Sequence, residues 1–159
     1  MERYQKIAGH SKFQYYMKMI EEKERERIFC HHNWDHLLAV ARIAYIMVLE
    51  EQLHISKDLV YATAFLHDIG KAEQYTRGVP HEIESAVLAE GILKDCGYCA
   101  EEIRMIAGAI LNHRVCKSSN TEFEKIIYRA DKLSRPCKGC PAAAECNWPD
   151  EKKNLEVVI

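Results

Sequence analysis

The stretch AFLHDIGK (residues 64–71) places a histidine and an aspartate side by side at the end of an apolar run, with a glycine two residues further on. Helix neighbours project about 100° apart, so His67 and Asp68 do not share one face. They can still reach a common point from its two flanks, or serve two different ions. What they do depends on whether the surrounding chain folds so as to bring partners to them.

Almost every periodic segment reads as helix. SKDLVYATAFLHDIG (56–70) offers Ser56 as an N-cap and Gly70 as a stop. WDHLLAVARIAYIMVLEEQ (34–52) is apolar nearly all round, as expected of a helix buried in a bundle. SKFQYYMKMIEEKERERI (11–28) has Ser11 and Gln14 at capping-box spacing ahead of an apolar stripe of Phe13, Tyr16, Met17 and Ile20. Its charged run EEKERER (21–27) reads as the solvated end. After a loop with Gly78 and Pro80 comes HEIESAVLAEGILKDC (81–96), closed by Gly97. AEEIRMIAGAILNHR (100–114) and TEFEKIIYRADKLSR (121–135) each put acidic residues in their first turn, where the helix dipole favours them. No segment alternates as a strand does. The expected fold is all-α: a bundle of about six helices over residues 1–135, with residues 136–159 as a short irregular tail packed on the same domain.

A length of 159 residues suits one domain with a full core, and 48% apolar with 29% charged residues is ordinary globular composition. A net charge of −2 gives no electrostatic case for a nucleic-acid polymer or a membrane surface as partner. The first residues, MERYQKIAGHSKF, lack the apolar core of a signal peptide. The longest apolar stretch, LLAVARIAYIMVL (37–49), is too short to span a bilayer. A cytoplasmic location is therefore expected, with the seven cysteines reduced or metal-bound rather than paired as disulfides. A homodimer is the default expectation for assembly.

Partners for the His-Asp pair are present. His36 heads the apolar helix, and Asp131 interrupts the apolar stripe of IIYRADKL, where a buried carboxylate calls for a cation. Each alone is commonly a hydrogen-bonded core residue. His36, His67, Asp68 and Asp131 together, on three helices of one bundle, offer imidazole nitrogen and carboxylate oxygen, a mixture suited to Fe, Mn, Zn or Ni.

The order His36 … His67-Asp68 … Asp131, with HDIGK intact and YRADKLSR (128–135) downstream, resembles the HD superfamily of metal-dependent phosphohydrolases over residues 30–135. In two-metal members, such as HD-GYP phosphodiesterases and HD-type diadenosine tetraphosphate hydrolases, extra histidines occupy about the places of His81 and His113. The resemblance thus implies a metal set of His36, His67, Asp68, His81, His113 and Asp131, with His67 on one ion and Asp68 bridging two. The alternative is a single ion held by His36, His67, Asp68 and Asp131, with His81 and His113 contacting substrate. The implied activity is hydrolysis of a small phosphate ester, of the nucleotide class, by metal-activated water, with Asp68 orienting the nucleophile. Lys71, one turn beyond Asp68, and Arg114, beside His113, are placed to touch phosphate; by itself Lys71 would read as a solvated helix-end lysine. Two other classes stay open, since HD-fold diiron oxygenases use the same six ligands and a non-catalytic metal or redox sensor would keep them. The chain has no GYP signature, and RVCKSS after His113 differs from the corresponding turn of the tetraphosphate hydrolases. His32, four residues before His36, is either near the substrate or a helix-entry histidine in a polar run with His31.

The tail carries CKGCPAAAEC (137–146), a C-x2-C-x5-C spacing. Cys30 stands six residues before His36 and Cys137 six after Asp131. If those helices run antiparallel, both thiols lie on one side of the central site. Cys30, Cys137, Cys140 and Cys146 are therefore candidates for a second site holding zinc or an iron–sulfur cluster, the other reading being free thiols in a packed loop.

Overall fold

The computed structural model describes residues 2–157 and 159, and among them it contains helices and no strands. The helices are α1 (Arg3–Ala8), α2 (Ser11–Lys23), α3 (Trp34–Glu50), α4 (Lys57–Leu66), α5 (Lys71–Arg77), α6 (His81–Cys96), α7 (Ala100–Asn112) and α8 (Glu122–Leu133), with a 3-10 turn at Asp150–Lys152. The all-α reading holds, but two helices escape it. α1 and α5 have six and seven residues, too few to show a helical period in sequence. α1 is fastened from outside: the Arg3 guanidinium pairs with Asp58 at 2.8 Å and with Glu102 at 2.7 Å.

The caps explain most boundaries. Ser56 accepts from the Leu59 amide at the start of α4, and Thr121 with Glu124 forms a capping box at α8. At α2 the capping side chain is His10, which accepts from the Lys12 amide, rather than Ser11. α3 is the central helix: Leu37, Val40, Ala41, Ala44, Met47 and Val48 are buried, and it packs on both α4 and α8. α6 packs on α7, and α7 on α8. No helix among the described residues is long and apolar enough to cross a membrane.

Two local readings are corrected. The charged run 21–27 is not wholly solvated, because Glu24 is only 2% exposed while its neighbours face water. Gly70 is also not a left-handed helix stop. α4 already ends at Leu66, residues 67–70 form a turn, and Gly70 has φ −69° and ψ −8°. Its role is steric: a Cβ there would lie 2.4 Å from the His81 carbonyl oxygen and 2.5 Å from the Ser85 nitrogen. The Gly70 amide donates to Ser85 Oγ at 2.9 Å. Glycine thus lets the turn carrying His67 and Asp68 lie directly on the first turn of α6.

Candidate metal centre

Buried polar residues are uncommon unless paired, and here they converge. His36 enters from the start of α3, whose N-cap Asn33 accepts from the His36 amide at 3.1 Å. His67 and Asp68 follow α4, His81 opens α6, His113 follows α7, and Asp131 lies in α8. All six are buried.

Their functional atoms fall into two groups. His36, His67, Asp68 and Asp131 form one, and Asp68, His81 and His113 the other. In the first, Asp68 Oδ2 lies 3.3 Å from His36 Nε2 and 3.1 Å from His67 Nε2. Asp131 Oδ1 lies 3.4 Å and 3.7 Å from the same two nitrogens. In the second, Asp68 Oδ1 lies 3.2 Å from His81 Nε2 and 3.6 Å from His113 Nε2. Ligand atoms about 2.1 Å from a common ion stand roughly 3.0–3.4 Å apart in octahedral or tetrahedral geometry, so both groups have close to the spacing that an ion requires. Asp68 belongs to both, one oxygen to each.

The far nitrogen of each histidine is also held. His67 Nδ1 donates to the Ala64 carbonyl at 2.7 Å, and His113 Nδ1 to the Ile110 carbonyl at 2.6 Å. His81 Nδ1 meets Gln74 Oε1 at 2.7 Å, and His36 Nδ1 meets Ser134 Oγ at 3.1 Å while that hydroxyl donates to the Asp131 carbonyl. Anchoring Nδ1 in this way points each Nε2 inward, which is how metal-binding imidazoles are oriented.

The electrostatics favour a cation at the centre. Burial would raise both Asp68 and Asp131, yet neighbouring imidazoles, His67 foremost, hold them well below the ordinary carboxylate range. Burial pushes the His36 imidazole down to about 4, against the pull of Asp68. It also acts to lower His67, but the Asp68 and Asp131 carboxylates outweigh it and hold that ring up at about 10. Ionised carboxylates in a buried site need positive charge beside them. For Asp131 part of it comes from Lys132 at 2.6 Å and Arg135 at 3.3 Å.

The site opens into a cleft of about 1030 Å³ lined by His81, His113, Lys71 and Arg114 among others. Burial lowers the Lys71 ammonium, with Asp68 opposing; no ion pair holds it among the described residues. Arg114 stands half-exposed on the rim, 3.3 Å from Glu82. Cys30, Cys137, Cys140 and Cys146 line the same cleft, but among the described residues no three thiols come within 4.8 Å of one another.

One pair was not legible as a pair. His32 lies in the loop before α3, not on a helical face shared with His36, and it is buried. Its Nδ1 makes a short hydrogen bond with Glu24, whose other oxygen accepts from the His32 amide at 2.7 Å. Tyr75 donates to Glu24 at 2.5 Å, and His32 Nε2 faces Asp68 Oδ2 at 3.9 Å. Glu24 looked like one charge in a polar run; only the fold turns it inward.

The fold and the site define a class. The HD domain model matches residues 33–135, and the chain belongs to that family. An uncharacterized protein of Clostridium beijerinckii is 48% identical over 157 residues, 99% of each chain. Among solved structures, that of a predicted HD superfamily hydrolase from an uncultured Thermotogales bacterium aligns with a TM-score of 0.62 at 22% identity, covering 89% of this chain and 81% of that one. At that identity the likeness supports the fold.

Proposed function

We propose that this chain is a metal-dependent phosphohydrolase that cleaves a small phosphate ester of the nucleotide class. The observation that carries the reading is the division of Asp68, whose two oxygens serve two buried donor groups. His36, His67, Asp68 and Asp131 would hold one divalent ion, and Asp68, His81 and His113 a second. The mixed nitrogen and oxygen donors fit Fe, Mn, Zn or Ni. When bound, such ions supply Lewis acidity, drawing charge from phosphoryl oxygens and making water more acidic.

The chain's own residues do the rest. Asp68 stays ionised and fixes the separation of the two donor groups. Lys71, half-buried and without an ion pair among the described residues, offers its ammonium to a phosphate oxygen in a poorly solvated cleft, where such a contact is strengthened. Arg114 can leave Glu82 for a second phosphate oxygen. His32, held by Glu24 at Nδ1, keeps Nε2 directed at Asp68 Oδ2. The cleft volume matches the upper end of small-molecule pockets, about 300–1,000 Å³.

The test is a phosphate-ester panel run on anaerobically purified, Mn- or Fe-loaded protein, with metal measured by elemental analysis. The wild type is expected to release phosphate without O2, and Asp68→Ala to lose both metal and turnover while remaining helical. A metal-loaded wild type inert across the panel would refute hydrolysis. Turnover that appears only with O2 would assign the same ligands to an oxygenase.

A further inference from the structure

We propose that Cys30, Cys137, Cys140 and Cys146 form a second metal centre, made of four thiolates and separate from the histidine–carboxylate site. It would hold a tetrahedral zinc ion or an iron–sulfur cluster and tie the tail to the loop before α3.

The tail needs something of this kind. Among its described residues Ala142 alone is buried, so apolar burial cannot offset the entropy of ordering the segment. Its fixed points are few: the Asn154 amide donates to the carbonyls of Lys132 and Arg135 at 2.7 and 2.9 Å. Small irregular segments without a core are commonly held by a metal or disulfide.

The backbone that carries the thiols suits it. Cys137 to Cys140 is a closed turn, with the Cys140 amide donating to the Cys137 carbonyl at 3.1 Å and Gly139 at φ 75°, a conformation that favours glycine. Such a turn is how a C-x2-C pair presents two sulfurs to one ion. A second turn, from the Ala143 amide to the Cys140 carbonyl, leads on towards Cys146. Cys30 comes from the far side of the sequence, and its carbonyl is held by Arg27 Nε at 3.0 Å. All four line one cleft, and none is in a disulfide. The other three cysteines are placed differently: Cys96 is buried in the core, Cys99 is the N-cap of α7 and Cys116 is exposed.

Charge points the same way. Four thiolates around a divalent ion carry a net double negative charge, which needs cations nearby. Arg27, Arg135, Lys152 and Lys153 line the same cleft as the four cysteines. Thiolates select zinc or iron–sulfur chemistry, whereas the histidine–carboxylate set favours harder ions. Because the thiols stand apart, binding would draw the tail inwards.

The experiment uses the full chain carrying Asp68→Ala, so that the central site contributes little metal, purified anaerobically. Elemental and acid-labile sulfide analysis is expected to give either one zinc per chain without sulfide or iron with sulfide, each supporting a four-thiolate centre. Thiol titration is expected to rise from two reactive groups in the folded chain, Cys99 and Cys116, to seven on removal of that metal under denaturing chelation, when buried Cys96 also reacts. Adding Cys30→Ser, or Cys137→Ser with Cys140→Ser, is expected to abolish retention, and adding Cys116→Ser to leave it intact. Six reactive thiols, all but the buried Cys96, with no metal in the folded Cys-intact chain after zinc or iron–sulfide reconstitution would overturn the proposal. Loss with Cys116→Ser but not with Cys30→Ser would overturn the ligand assignment. The metal and thiol readouts on the Cys-intact chain do not depend on whether the Ser variants fold. Because no phosphatase activity is read, failure here is distinguishable from failure of the proposed hydrolysis.

Discussion

Replacing Gly70 by alanine tests the joint between the two donor groups. The new methyl would sit 2.4 Å from the His81 carbonyl oxygen, 2.5 Å from the Ser85 nitrogen and 2.9 Å from Ser85 Oγ. The first two partners are backbone, about 1 Å inside ordinary contact, so the first turn of α6 must withdraw by roughly that distance. Overpacking of this kind costs about 1–3 kcal/mol, and loss of the Gly70–Ser85 hydrogen bond adds about 1 kcal/mol. At roughly 2–4 °C per kcal/mol for a domain of this size, the melting temperature should fall by about 5–15 °C. The withdrawal also carries His81 away from Asp68 Oδ1, now 3.2 Å distant, while His36, His67 and Asp131 are left in place. Circular dichroism melting and metal analysis are the assays: the expected result is a lower melting temperature with one of two central ions lost. Gly91→Ala, within α6 itself and with nothing within 4 Å of the added methyl, is the control and should stabilise by about 0.5–1 kcal/mol. An unchanged melting temperature and full metal in Gly70→Ala would refute the steric account.

Glu24→Ala leaves His32 buried without its partner, and breaking such a pair costs about 3–5 kcal/mol; urea unfolding at pH 7 that shows less than about 1 kcal/mol would contradict it. His32 and Tyr75 hold the Glu24 carboxyl down at about 2, against burial, from an ordinary 4.5. Its contribution is therefore complete above about pH 4.5 and lost as pH falls towards 2, so the stability gap between wild type and Glu24→Gln should narrow over that window. Lys71→Ala should keep its metal and lose about 10- to 100-fold in kcat/KM for a phosphate ester, as expected for one charge-assisted hydrogen bond of about 1.5–3 kcal/mol; unchanged kinetics, or loss of metal, would count against a phosphate contact.

Much of this protein is written in local sequence. The apolar period of residues 34–52, the caps at Ser56 and Thr121 and the glycine at 97 fix where long helices run, because they act over one or two turns. The residues that meet at the centre could be named from HDIGK, YRADKLSR and three further histidines, His36, His81 and His113, since family motifs keep residue types in order along the chain. What those residues do to one another could not. That Asp68 gives one oxygen to each donor group depends on six side chains from five segments arriving in two groups, with ligand atoms within 4.8 Å of one another in each. That Gly70 is a contact rather than a stop depends on how closely α6 approaches. That Glu24 turns inward to hold His32 while its neighbours in the same charged run face water is likewise set by the loop between α2 and α3. Distances between segments far apart in sequence are decided by packing, which no local pattern encodes.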